Sequence, residues 1–493
     1  MTELVDELAA LLSDPVERRE THGAWVLLSG ERAYKLRKPI RLPYLDYSDV
    51  ADRQRFAEAE VALNQVLAPG IYLHVQALIR RGDALALGPC EATPEAVDYV
   101  VVMRRFDEST TMAARVSTAR LHAEDVDATA RTIAAFHRQA ARAAGDRDAV
   151  IRRVHADLDD LAELDAPGID HRGLRVFADA ALRRHGDEID ARARDGLWRD
   201  GHGDLRAEHV VLSDPIAIVD RVEFDPALRE IDVASDLAFL AMDLEALGAD
   251  WAARRLVAAY ADAGGQPASA ALQALLAWQR AVVRWKIALL RGDAAASAGL
   301  QQLADTLAWR ERACPVLLVC GPPASGKSTL ARALAQRTGL RSVNTDTVRK
   351  ELHGVAPTAT LPADAYTDDV TLRVYEAVGA RAATIVDEDG GVIVDATART
   401  AQERAALRAG LAGRGPIRAI VCSADRETLR RRAQARLSDP ARVSDAGPQV
   451  ALALAEAFDP PHPGHDGVVQ VATVDTGRDD VVAAAAAALD ARG

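Results

Sequence analysis

The chain has 493 residues, too many for one hydrophobic core, and this predicts two or three domains. It is 49% apolar with mixed charges and a net charge of −13, which argues against a general binder of nucleic acid or of anionic membranes while leaving room for a local basic pocket. The four cysteines, Cys90, Cys314, Cys320 and Cys422, have no C-x-x-C spacing and read as free thiols of a reducing cytosol rather than as disulfides or a zinc site.

Taken in chain order, residues 1–13 read as an amphipathic helix with Leu4, Leu8, Leu11 and Leu12 on one face. The acidic start does not read as a signal peptide, and the longest apolar run, 481–489, is too short to span a bilayer, so a cytoplasmic protein is expected. Residues 24–36 read as a hairpin turning at Ser29-Gly30-Glu31, 51–67 as a helix and 98–103 as a strand. From about 119 to 300 the pattern is long Ala/Leu/Arg helices, broken at 200–225 by a loop-and-strand region, and 291–313 reads as a polar connection. Strand patterns then recur at 315–320, 341–345, 391–395, 417–422 and 469–474 with helical patterns between them, which predicts a parallel sheet. The expected domains are 1–305 and 306–493, each complete in its own motifs and separable from the other.

The octapeptide Gly321-Pro322-Pro323-Ala324-Ser325-Gly326-Lys327-Ser328 fits G-x-x-x-x-G-K-[ST] between an apolar run and a helical pattern, the context of a phosphate-cradling loop. Gly321, Ser325, Gly326, Lys327, Ser328 and Thr329 are the candidate nucleotide-binding residues. Lys327 reaches the β/γ-phosphates, and Ser328 binds Mg²⁺. Asp395 ends an apolar strand and is a second candidate Mg²⁺ ligand. Asp346 follows another strand and is a candidate acceptor of a substrate hydroxyl proton, with Arg349 to grip an anion. Helix capping is the alternative role for both aspartates. Arg432 and Arg436, at i,i+4, could close over the transferring phosphoryl group or form a solvated face. These residues, with Asn344-Thr345, Ala396-Thr397 and Ser444-Asp445-Ala446, resemble the P-loop small-molecule kinases, among them gluconate-kinase-like and zeta-toxin-like proteins. The resemblance covers about 314–493 and implies ATP-dependent phosphorylation of a hydroxyl.

A second constellation precedes it. In Gly201-His202-Gly203-Asp204-Leu205-Arg206-Ala207-Glu208-His209, the carboxylate of Asp204 stands 16 residues before Asp220, which ends an apolar strand. Phosphoryl transfer needs such a pair, one to take the hydroxyl proton and one to hold metal. Lysine is scarce (Lys35, Lys38, Lys286, Lys327 and Lys350 among 60 basic residues), so Lys35 on the hairpin, with Glu60 on the next helix to orient it, is a candidate ATP lysine. Residues 20–295 are similar to the aminoglycoside phosphotransferase and choline-kinase branch of the protein-kinase-like fold. That similarity implies a bilobal α+β domain, with an N-lobe at about 20–108 and a C-lobe at about 119–300. It also implies that Asp204 is the base, Asp220 the metal ligand, Lys35 and Glu60 the ATP pair, and Asp236 the brace of the catalytic loop. Two positions depart from the branch: His209 replaces its metal-binding Asn, and no G-x-G-x-x-G covers the phosphates. An imidazole ligand implies a preference for Mn²⁺ over Mg²⁺.

The whole chain resembles bacterial proteins that fuse these two domains, and Val283-Arg284-Trp285-Lys286 is similar to a basic patch of that family; it is expected to line the N-terminal substrate cleft or, alternatively, to carry a snorkelling surface lysine. The expectation is a kinase with two ATP sites that acts on a hydroxylated small molecule and not on nucleic acid or membrane. Two alternatives stand beside it: a nucleotide-sensing pseudokinase that regulates the P-loop half, and an enzyme resembling zeta-toxin or polynucleotide kinase.

Overall fold

A computed structural model describes residues 2–491 apart from 22, 43–44, 83, 91–94, 165 and 438–445. The chain divides into two packing units, Met1–Asp146 with Asp190–Pro267 and Arg147–Ile189 with Ala268–Gly493.

In the first unit, strand alternation sorts side chains to two faces of a six-stranded antiparallel sheet. Its strand order is Val16–Glu20, Ala24–Ser29, Arg32–Arg37, Ala96–Arg104, Tyr72–Arg81, Ala84–Pro89. Leu27, Leu36, Leu78 and Val100 pack on Leu4, Val5 and Leu8 of the helix Thr2–Leu11. Ala77, Tyr99 and Val101 face Ala57 and Val61 of the helix Val50–Asn64. Because the side-chain period of a strand is two, Lys35 and Arg37, which flank Leu36, are aimed at the helix that carries Glu60. The hairpin and the strand near 98–103 are as expected. The strands Val16–Glu20, Tyr72–Arg81 and Ala84–Pro89 are additional, since charged edges and an Ala-rich pattern hid their alternation.

The rest of this unit is built on the helices Ala123–Gln139, Val233–Ala246 and Asp250–Asp262, packed through Ile133, Phe136, Leu237, Leu240 and Leu256. Between them, the strand Trp198–Asp200 pairs with Glu230–Asp232 and Val210–Val211 pairs with Ala217–Ile218, and these two ladders suspend the loop 201–209.

The second unit holds a five-stranded parallel sheet, ordered Ser342–Asn344, Val392–Asp395, Val316–Cys320, Ile417–Ser423, Val468–Asp475. Helices cover both faces. Leu318 and Val394 lie in one core and Leu317, Val319 and Ile393 in the other, so the strands are continuously apolar rather than alternating. The helices Asp368–Asp389 and Ala401–Leu411 cross in contact at Gly379 and Gly410, where an added Cβ would run into the backbone of Leu407 or Glu376.

Residues 291–313 are not a connection. The helix Ala294–Ala313 is capped by the Asp293 carboxylate, which accepts from the Ala296 N–H at 3.0 Å, and it buries Leu300, Ala304, Leu307 and Trp309. Helix-favouring alanine and an apolar face at helical spacing explain it, and the expected division at 305/306 falls inside this helix. Glu311 on it is fully buried and bonded to Arg184 at 3.0 Å and His185 at 2.9 Å. Among the described residues no helix is long and apolar enough to cross a membrane. All four cysteines are free.

Candidate functional site

In the first unit the loop 201–209 hangs from Asp236 on the helix Val233–Ala246. Its buried carboxylate accepts from the N–H groups of His202 at 2.6 Å and Gly203 at 2.9 Å, and His137 approaches it at 3.3 Å. Burial would raise this carboxyl, but His137 and His202 bring it down to about 2. His202 is itself kept neutral by burial, which lowers it to about 4, and its Nε2–H donates to the Val219 carbonyl at 3.0 Å. Asp236 is thus more acidic folded than unfolded. Its contribution, about 2 kcal/mol, is present above pH 4 and lost as the pH falls from about 4 to about 2. Urea unfolding of Asp236→Asn and the parent chain should therefore differ most near neutral pH and converge toward pH 2.

Lys35 Nζ lies 2.8 Å from Glu60 and 3.1 Å from Asp220, so strand, helix and loop meet on one ammonium. Burial disfavours the Lys35 charge, but Asp220 and then Glu60 hold it protonated, well above the ordinary lysine range. Lys35 in turn is the main reason that the Asp220 carboxyl lies far below its usual value. Asp220 sits at φ 64°, a left-handed conformation costly for a non-glycine residue. It is held there by the Tyr72 hydroxyl, which accepts the Asp220 N–H at 3.1 Å, and by the Asn64 side-chain oxygen, which accepts the N–H of Arg221 at 2.9 Å.

Sequence reasoning missed several supports. Arg37 is 1% exposed and joins Glu60 to Glu223, and Tyr47 donates to Glu223 at 3.0 Å. Arg221 bonds the carbonyls of Gly201 at 2.7 Å and Asp200 at 2.6 Å, tying the Asp220 segment to the loop. The signals were present: Arg37 shares a strand face with Lys35, and Asn64 stands one helical turn after Glu60.

Asp204 and His209 are both in place, but neither is free. Arg206 spans the Asp204 carboxylate with two bonds of 2.9 Å, and it reaches His209 Nε2 at 3.0 Å. Burial acts to raise the Asp204 carboxyl, while His209 and Arg206 lower it to a net value below the usual range. His209 Nε2 lies 3.6 Å from Asp220 Oδ2.

In the second unit, parallel pairing sets Val319 beside Asp395 and Asp395 beside Asn344, so the phosphate loop and both candidate carboxylate strands end on one edge. Gly321 adopts φ 139° with its Cα against the Cys422 carbonyl, where no side chain fits. Gly326 caps the helix Lys327–Thr338, which places Lys327, Ser328 and Thr329 in its first turn. Asp395 is 5% exposed; its Oδ2 accepts from Asn344 at 2.7 Å, while its Oδ1 has no hydrogen-bond partner, and neither has Ser325 Oγ. A buried carboxylate oxygen without a donor, on the strand paired with the one that leads into the phosphate loop, suits a hard cation such as Mg²⁺.

The helix Thr345–Leu352 is capped by Asn344, not by Asp346, which lies part-exposed in its first turn. Arg349 is not poised for an anion: it is 6% exposed, donates to the Ala365 carbonyl at 2.7 Å and lies over Tyr366. Arg432 donates at 2.9 Å to both the hydroxyl and the carbonyl of Thr476, and the Thr476 hydroxyl donates to the Ser325 carbonyl at 2.6 Å, so Arg432 is joined to the phosphate loop through one residue. Arg436 ends the same helix, Arg426–Arg436, while Ser444 and Asp445 lie outside the described residues. Lys286 pairs with Asp160 at 2.6 Å within the second unit.

Among the described residues, no three His, Cys, Asp or Glu side chains are grouped to cage a metal, so any ion would depend on nucleotide oxygens and water for the rest of its shell. A family model described as AAA domain matches residues 316–461. The protein Rv2004c of Mycobacterium tuberculosis H37Rv, carried as uncharacterized, is 33% identical over 468 residues, 89% of this chain and 89% of that one. A choline/ethanolamine kinase family protein from Mesorhizobium loti is 16% identical over 62% of this chain and 94% of its own, with a TM-score of 0.38. A gluconokinase from Sinorhizobium meliloti is 22% identical over 36% of this chain and 92% of its own, with a TM-score of 0.26. The chain belongs to the family of the mycobacterial protein, and within it residues 316–461 match the AAA-domain model.

Proposed function

We propose that the chain is an ATP-dependent phosphotransferase with two nucleotide sites, acting on the hydroxyl of a small molecule in the cytoplasm. The functional division is 1–305 and 306–493, although packing groups 147–189 and 268–313 with the P-loop sheet. The observation that most supports the reading is Lys35 fixed between Glu60 and Asp220. A lysine held charged by one helix carboxylate and one loop carboxylate is arranged to receive nucleotide phosphates. An acceptor other than nucleic acid or membrane accords with the net charge of −13.

In the N-terminal site Asp204 would take the acceptor's proton as the acceptor oxygen bonds the γ-phosphorus and the bond from that phosphorus to the β,γ-bridging oxygen breaks, releasing ADP; Lys35 would position the phosphates, and Asp220 would hold Mg²⁺. His209 would add a ligand, with Mn²⁺ then favoured, only if its Nε2 were released from Arg206. In the C-terminal site Gly321, Ser325, Gly326, Lys327, Ser328 and Thr329 cradle the phosphates, and Asp346 takes the proton. Arg432 and Arg436 approach the phosphoryl group there, and Ser328 and Asp395 hold Mg²⁺. Held by these residues, Mg²⁺ would supply neutralisation of the charge that develops on the phosphate oxygens.

A screen of metabolite pools for ATP-dependent phosphorylation, run with the full chain and with variants of each site, tests this reading. In the N-terminal site, Asp220→Asn should weaken Mg·ATP binding, seen by calorimetry. Asp204→Asn should leave ATP affinity nearly intact and lower turnover by roughly 10²–10⁴-fold. Equal loss of ATP affinity in both variants would overturn the division of roles.

Nucleotide sensing by the N-terminal unit is a second reading, favoured by the turn at Ser29-Gly30. Ser29 donates to the Asp14 carbonyl at 3.1 Å, and an added Cβ on Gly30 would strike the Asp14 carboxylate. A carboxylate therefore covers the turn that would otherwise close over phosphates. ATP binding without turnover in a chain carrying Lys327→Ala would support it.

A further inference from the structure

We propose that Arg206 takes the place of a second metal ion in the N-terminal site, so that the resting site accepts a single divalent cation at Asp220 and His209 is not among its ligands. The inference rests on the reading of this unit as a nucleotide site.

His209 is set up as a ligand. It is 7% exposed, and its Nδ1–H donates to the Asp204 carbonyl at 2.8 Å, which fixes the tautomer and leaves the Nε2 lone pair directed into the site. That lone pair is already used, because Arg206 Nη2 donates to it at 3.0 Å. A coordinated ion would sit about 2.0–2.2 Å from the same nitrogen, in the space the guanidinium holds. The same planar group also spans both oxygens of Asp204 at 2.9 Å, and its Nη1 pairs with Glu208. One cation therefore joins Asp204, Glu208 and His209. Without it, Glu208 and Asp220 would stand 3.9 Å and 3.6 Å from His209 Nε2 with no guanidinium among them, so a divalent ion could enter there with water and nucleotide oxygens completing its shell. A guanidinium does not lose its proton at any working pH, so the substitution is permanent, which a lysine would not guarantee.

The test uses the full chain carrying Lys327→Ala, loaded with Mn²⁺ and a non-hydrolysable ATP analogue. It reads Mn²⁺ stoichiometry together with pulsed electron paramagnetic resonance for imidazole nitrogen coupling. With Arg206 intact, one Mn²⁺ should bind with the nucleotide and show no imidazole coupling. Arg206→Ala should bind a second Mn²⁺ and show the coupling, and adding His209→Gln should abolish it. With Arg206 intact, His209→Gln alone should leave Mn²⁺ affinity nearly unchanged, whereas a loss of about tenfold or more would mark a ligand and overturn the proposal. Imidazole coupling in the Arg206 chain, or no second ion in a folded Arg206→Ala chain, would also overturn it. Absence of any nucleotide binding in the Lys327→Ala chain would instead sink the nucleotide-site reading, and the proposal with it.

Discussion

Replacing Glu311 with alanine should destabilise the second unit by about 3–5 kcal/mol, because it leaves buried cations without their counter-charge. Glu311 is 0% exposed and bonded to Arg184 and His185, and Arg418 Nη2 stands 3.8 Å away. Burial acts to raise its carboxyl, but His185, Arg184 and Arg418 hold it ionised far below the usual range. Arg184 also lies 3.6 Å from Asp490, which pairs with Arg312, so the damage would spread to the helix Val481–Asp490. A loss of this size corresponds to a fall in Tm on the order of 10 °C for a unit this large. Differential scanning calorimetry of the full chain would measure it. A change below about 1 kcal/mol, the scale of an exposed ion pair, would show that this network is not dry. Arg184 and His185 precede residue 306, so a fragment of 306–493 loses both and should be destabilised like the variant, whereas independent folding of that segment was the expectation from sequence.

Lys327→Ala should remove the nucleotide-dependent stabilisation of the second unit while leaving its unliganded stability nearly unchanged. Lys327 is part-exposed and has no hydrogen bond or salt bridge among the described residues, so its removal breaks no internal bond. Its replacement deletes the one ammonium in the first turn of the helix behind the phosphate loop, where the Gly326 cap and the helix dipole already favour an anion. At a nucleotide concentration of 100 times Kd, the parent chain should gain about 2.7 kcal/mol, several degrees of Tm for this unit. Stabilisation that survives in the variant would place the nucleotide elsewhere in the unit.

The motifs read at fixed spacing were legible in the sequence because each depends on local geometry. A phosphate loop needs its glycines, its lysine and the strand and helix around it within about a dozen residues, and those features show in the one-dimensional pattern. The parallel sheet was legible for the same reason, since βαβ alternation repeats along the chain. The strand Tyr72–Arg81 was not, since its apolar and polar residues do not alternate cleanly and its Ala77 and Gln76 carry little strand preference. The helix Ala294–Ala313 was also missed, because its alanine and polar residues look like a linker until Leu300, Ala304 and Leu307 are seen to share a buried face.

By itself the sequence determined the parallel sheet, the phosphate loop with its Asp395 strand, and the pairing of Lys35 with Glu60. Only the tertiary structure decided that Arg349 serves the loop near Ala365, that Arg206 clasps Asp204 and His209, and that Arg184 and His185 bond Glu311. The reason is the range of the interactions. Propensity, periodicity and turn chemistry act over a few residues and are written in order along the chain. A charge buried by packing must instead find a partner wherever the fold brings one, and in an arginine-rich chain spacing alone cannot say which of many cations that is.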